Sequence, residues 1–414
     1  MILDRRLKMS MLKKSSFLLC LIIIMIGSVW FISLKNEDSS LVGAYIDGEY
    51  VSNIPSKDAG YVVEKIVCDN EAVGEWNYND WGLLVKNMTK KSKCNVYFRK
   101  GIKLADTITL VDATGKCPTV NDDGSVNITS AESENSLLCM APDNYGTSYY
   151  FRGNVQNNYV YFANLYWRII RINGDGSIRM IYDGTSAHAN GEVSEDRIIG
   201  KSSFNNLSDD NAYVGYMYGT AGSSSYEETH ANINDSNIKI YIDTWYENNI
   251  KNTVYEKNIN DTIFCGDRTI SEKSYGDGYS KIDTSYKWYY SLSYENLSLN
   301  CTQKNDSYTY KDINYGNGTL KYSIGLISTD EATLSGGYNT NNADYYLFTG
   351  NRYWTMSAAD FNGSNANNRL VLENGRTELI DWARGYYGVK PVINLKPYSL
   401  KFGDGTISNA YRVS

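Results

Sequence analysis

Residues 17–34, FLLCLIIIMIGSVWFISL, are eighteen residues without a charge. At about 1.5 Å rise per residue, such a run just crosses a hydrocarbon core of about 30 Å. The sequence therefore predicts a transmembrane helix over 17–34. Arg5, Arg6, Lys8, Lys13 and Lys14 precede it against a single acid, Asp4, so residues 1–16 carry +4. Basic residues beside a span stay cytoplasmic, which places the N-terminus inside and the C-terminal ectodomain outside the cell membrane. The rival reading is a cleaved signal peptide, which needs a shorter apolar run and a small-residue exit. The exit here, Trp30-Phe31-Ile32-Ser33-Leu34, is bulky. Cys20 lies near the start of the run and reads as a lipid-facing apolar residue.

The chain carries −7 overall, so everything after the flank sums to −11, the difference between −7 and +4. An acidic ectodomain argues against a nucleic-acid partner, because phosphate binding needs a basic face. Six cysteines remain outside: Cys68, Cys94, Cys117, Cys139, Cys265 and Cys301. Six cysteines allow 15 pairings. Their spacing groups them as Cys68 with Cys94, Cys117 with Cys139, and Cys265 with Cys301. Local closure costs the least loop entropy, so these three disulfides are expected. No CxxC occurs and the chain has 2 histidines, His188 and His230, which leaves no zinc pattern. Neither a metal nor a cofactor is expected.

The pattern along the chain divides it into a cytoplasmic flank (1–16), the span (17–34), a polar stalk (35–45), a small β-sandwich (46–112), a disulfide-clipped loop segment (113–149) and a main domain (150–414). In the main domain, Tyr159–Ala163, Tyr166–Ile172 and Ile178–Tyr182 read as strands, the last two joined by the NGDG turn at 173–176. Asp235 or Ser236 can cap a helix carrying Ile238, Tyr241, Ile242 and Trp245 at helical spacing. Ser328-Thr-Asp-Glu331 matches a capping box for a second, shorter helix. Asp122, Asp123, Asp175, Asp277 and Asp404 sit in Asp-Gly turns that lack the 12-residue frame of an EF-type calcium loop.

The ending YWTMSAADFNG, an Asn-rich loop, GVKPVINLK and GDGT resembles the end of a C-type-lectin-like domain. The run YYFRGNVQNNYVYFANLYWRIIRINGDGSIRMIYDGTSAHANGE resembles its opening. The similarity covers about residues 117–414. It is to a group of membrane-anchored surface proteins of low-GC Gram-positive bacteria, distantly similar in fold to the formylglycine-generating enzymes. It implies a mixed α/β lectin-like domain with looped antiparallel sheets; with the transmembrane helix and the small sandwich read from the residues, the chain is expected to be α+β. Lectin calcium sites use Glu-Pro-Asn and Trp-Asn-Asp runs, which are absent here. The sulfatase-activating relatives need cysteines near the C-terminus, where this chain has none beyond Cys301. Neither activity is carried over.

A glycosidase needs two carboxyls facing each other across a sugar. A serine hydrolase needs a nucleophile elbow beside a histidine. The sequence supplies neither, so no catalytic residue is assigned and an enzyme is not expected. An anchored binding or adhesion protein, with a glycan or protein ligand, is the expectation. The alternatives are a structural surface-assembly component and an enzyme on the formylglycine-generating fold. For a ligand, the sequence points to the stretch between Trp354 and Arg369 and its neighbour at 381–387. Trp354 is expected to anchor the stretch from below. Asp360, Asn362, Asn365 and Asn368 offer acceptors and amides, and Trp382 or Tyr386 a ring to stack on a sugar face.

Overall fold

The computed structural model describes residues 42–56, 59, 61–77, 81–87, 92–100, 117–129, 136–287, 295–338, 340–377, 380–397 and 399–413. The flank 1–16 and the expected span 17–34 lie outside the described residues. Among the described residues, no helix is long and apolar enough to cross a membrane. Contacts divide the chain into two units, Met1–Gly101 and Ile102–Ser414.

In the first unit, Val42–Ile46 lies between Glu49–Val51 and Cys94–Lys100, and Tyr61–Cys68 pairs with the far side of Cys94–Lys100. The expected stalk therefore ends earlier than residue 45, since Val42 already pairs with Cys94. A separate hairpin, Val73–Asn77 with Gly82–Lys86, brings Trp76 over Ala44, Val96 and Phe98. Trp76 meets both Trp81 and Phe98 edge-on, at 5.3 and 5.1 Å. Cys68 and Cys94 close this small core. It is too small to be stabilised by burial alone, and the crosslink limits what its unfolded chain can explore.

The second unit corrects the α+β expectation. The chain is mostly β-sheet, 35% strand against 12% helix. Two sheets carry the core. The eight-stranded sheet runs Val392–Leu395, Ile178–Gly184, Leu165–Ile172, Tyr159–Phe162, Tyr411–Val413, Leu400–Phe402, and the hairpin of Leu137–Asp143 and Gly146–Arg152 joins it beside Leu165–Ile172. The six-stranded sheet runs Lys201–Ser202, Tyr387–Gly388, Tyr353–Phe361, Ala366–Val371, Ile380–Trp382, with Thr284–Ser285 also on Tyr353–Phe361. The central strands are buried on both faces: every residue of Ile178–Gly184, Tyr353–Phe361 and Ala366–Val371 is buried, including Arg179, Asp183, Asp360 and Asn368. Burial on both faces marks an interior strand. Among the described residues, the one long helix is Asn237–Asn249, capped by the Ser236 hydroxyl and burying Ile238, Ile242 and Tyr246. The capping box at Ser328 and Glu331 also forms, but its helix is only Thr329–Leu334.

The segment 113–149, expected as a loop, contributes the strand Leu137–Asp143. Pro142 and the lack of β-branched residues hide it in the sequence. Its burial nevertheless alternates strictly, with Leu137, Cys139, Ala141 and Asp143 inside. Cys117–Cys139 and Cys265–Cys301 form as expected from spacing, with Cα atoms 5.6 and 5.5 Å apart. Three disulfides are the mark of an oxidising compartment, so the described part of the chain reads as extracellular or secreted.

Candidate functional site

The sequence expects the stretch between Trp354 and Arg369 to offer polar side chains to a ligand. Most of it is strand. Tyr353–Phe361 and Ala366–Val371 form a hairpin whose turn is Asn362–Asn365. Asn362 closes that turn: its backbone N–H donates to the Asn365 carbonyl, and its side-chain oxygen accepts from the N–H groups of Ser364 and Asn365. Asn365 accepts from the Ser208 hydroxyl at 3.0 Å. Asn368 is fully buried and donates to the Val214 carbonyl at 2.8 Å, so its amide serves the core. Trp354 is also fully buried. Its indole N–H donates to the Ser202 carbonyl, and its ring meets Phe204 and Tyr387 edge-on.

Sheet register does bring four residues together. Ser285 lies opposite Asp360, Asp360 opposite Asn367, and Asn367 opposite Trp382. Directly opposed residues share a face, so these four form one row across four strands. Asn367 donates to Asp360 at 2.9 Å. Asp360 is 4% exposed. Burial pushes its carboxyl up to about 6, Asp283 adds to the rise, and the Asn367 donor and Arg369 oppose it. Trp382 ends the row at the sheet edge, where it is 45% exposed.

From that edge the chain turns through a knuckle, residues 382–386. Its base is fixed. Ala383 is fully buried, its N–H donates to the Ala366 carbonyl, and its own carbonyl accepts from Asn205. The Gly385 N–H closes the turn on the Trp382 carbonyl at 2.7 Å. Trp382, Arg384 and Tyr386 alternate with the buried Ala383 and the turn residue Gly385, and point outward. Tyr386 is 69% exposed, and the Arg384 guanidinium lies 4.6 Å from the Trp382 ring centroid. The Tyr387 hydroxyl donates to Asp381 and holds the departing chain. The structure therefore places Trp382 and Tyr386 on one exposed turn and Asp360 behind it in the row. Trp354 and Asn368 lie in the core beneath. Sequence reading missed Asn367 and Arg384. For Arg384 the signal was present in WARGYY, an arginine between two aromatics beside a glycine.

Two other clusters bear on chemistry. A polar cavity is lined by Asp143, Arg171, Arg179, Asp267, Asp330 and Glu331, among others. Its charges are matched: Glu331 takes both arginines, Asp143 takes Arg171, and Lys287, outside the lining, bridges Asp267 and Asp330. His188 is buried. Its Nδ1 is 2.8 Å from Glu192 and its Nε2 3.4 Å from the Ser186 hydroxyl, the connectivity of a hydrolytic triad. Asp196 lies 2.8 Å from the same Nε2, however. That carboxylate takes the nitrogen that a serine would need as base. Hydrogen bonds from Ser194, His188 and Thr185 outweigh partial burial and hold Asp196 far below the usual carboxylate range, so it stays charged. His230 is neutral: burial, then Arg268, depress its pKa, while Nε2–H donates to the Gly278 carbonyl and Nδ1 accepts from Arg268. Among the described residues, no three His, Cys, Asp or Glu side chains are placed to hold a metal.

No family model, curated protein or solved structure matches the chain.

Proposed function

We propose that this chain is an extracellular binding or adhesion protein, anchored by residues 17–34 with its C-terminus outside, and that the knuckle at 382–386 is its ligand-contacting element. The carrying observation is that Trp382, Arg384 and Tyr386 are presented outward from a base fixed by Ala383. Trp, Tyr and Arg are the residue types that dominate binding hot spots, and a fixed base lowers the entropy lost on contact. The polar row behind the knuckle is buried and bonded to itself, Asn367 donating to Asp360, so contact falls on the outward side chains. A glycan stacked on Trp382 is therefore the favoured ligand, with a protein surface as the other. The full chain in lipid nanodiscs, applied to a glycan array and to the exposed surface of partner cells, tests the proposal. Binding by the wild type that vanishes in Trp382→Ala/Tyr386→Ala supports it. Undiminished binding by that variant removes the site.

A further inference from the structure

Tyr387–Gly388 belongs to the six-stranded sheet and Val392–Leu395 to the eight-stranded one. Val389, Lys390 and Pro391 carry the chain between them. Their backbone is tied on both sides, by Val389 to Gly200 and by the Pro391 carbonyl to the N–H of Tyr182. The Lys390 side chain points inward and is sealed from water, with 1% exposed.

Its surroundings are ill suited to a charge. The Lys390 amine is 3.5 Å from Asp183 Oδ1 and 5.3 Å from the Tyr353 ring centroid. That same oxygen already accepts two bonds from Arg197, at 3.0 and 2.8 Å. A second guanidinium, Arg168, is 4.0 Å from Asp183 Oδ2. Three basic side chains thus face one carboxylate. The guanidiniums have neutral acceptors of their own. Arg168 donates to Asn158, Asn190 and the Val155 carbonyl and lies 3.7 Å from the Tyr159 ring centroid, with Tyr346 further off; Arg197 donates to the Glu192 carbonyl. Among the described residues, Lys390 has the distant, shared oxygen and the face of the Tyr353 ring. A buried cation needs excellent pairing to offset its lost hydration, and this pairing is poor.

We propose that Lys390 makes the crossing between the two sheets a proton-coupled latch, closed around an uncharged amine and opened with uptake of one proton. Burial, aided by Arg197 and Arg168 against the pull of Asp183, brings its pKa down to about 7. Once exposed, a lysine keeps its proton up to about pH 10. Between these limits the closed state holds fewer protons than the open one. Stability of the crossing therefore rises with pH from about 7 to about 10, and is level below 7, where both states are charged.

Native-state hydrogen exchange on the full chain tests this between pH 7 and 9, read at the amides of Tyr182 and Val389 and corrected for chemical exchange. In the wild type the opening constant should rise about tenfold for each unit fall in pH. In Lys390→Met it should not respond to pH. A flat wild-type profile, or the same slope in Lys390→Met, overturns the latch. If Lys390→Met does not fold, lysine side-chain NMR of the wild type decides: one amine titrating near neutrality supports the latch, and all lysines titrating above pH 9 overturn it.

Discussion

At the residue scale, the main lesson concerns polar side chains that composition made look exposed. Asp360 and Asn368 fall in an Asp- and Asn-rich stretch, yet both are buried. Nothing in local composition distinguishes an asparagine that donates to Val214 from one that faces water, because the partner lies far away in sequence. Asp-Gly turns were legible. Asp123, Asp175 and Asp404 each accept from the N–H and hydroxyl of the Ser or Thr two residues on, the local bonding that makes Asp a turn residue. Asp360 yields a signed prediction. Its carboxyl ionises above about 6 in the fold and above about 3.9 when unfolded, so ionisation at neutral pH opposes folding. Asp360→Asn keeps the acceptor for Asn367 and removes the charge. It should be more stable than wild type at pH 7 by up to about 3 kcal/mol, with the gap closing as pH falls from 6 towards 4. Denaturant unfolding at pH 7 and pH 4 measures it, and a gap that widens in acid contradicts the assignment. Asn368→Ala leaves the Val214 carbonyl unpaired inside the core and should cost about 1–3 kcal/mol. Trp382→Ala, at the surface, should change stability by less than about 1 kcal/mol.

At the element scale, strands and caps with local signals were readable. The NGDG hairpin forms with Ile172 opposite Ile178, and the Asn173 N–H donates to the Ser177 carbonyl across its turn. The helix at Asn237–Asn249 carries its expected cap, the Ser236 hydroxyl accepting from the Lys239 N–H. Ser236→Ala should therefore cost about 1 kcal/mol, read as a lower midpoint in thermal or denaturant unfolding of the second unit. An unchanged midpoint would mean that the cap contributes nothing beyond what water supplies. Elements without a local composition signal were not readable. Leu137–Asp143 looks like a loop because Pro142 interrupts it, and it is a strand because Gly146–Arg152 pairs along its whole length. The knuckle is another such case. Its rigidity comes from Ala366 and Asn205, and no spacing within WARGYY announces either contact.

At the scale of the whole molecule, disulfide topology was the most legible property. The three couples set by sequence spacing are the three that form. The fold class was not. Two capped helices and an apparent lectin-like ending suggested a mixed α/β domain, whereas stacking of strands buried on both faces makes the unit mostly β. Periodicity cannot tell which long-range partner a doubly apolar strand will take. The proposed membrane topology rests on the +4 flank before residues 17–34. Protease added to intact cells should remove the C-terminal region and spare the N-terminus, and the reverse pattern would invert the orientation. The central claim, that the knuckle contacts ligand, is tested most directly by one ratio: binding of Trp382→Ala/Tyr386→Ala relative to wild type, for whichever glycan or cell surface the wild type captures, with near-ultraviolet circular dichroism confirming intact packing. Two hot-spot aromatics at about 2 kcal/mol or more each predict a loss of at least about a hundredfold. Binding within twofold of wild type by the folded variant would contradict the account.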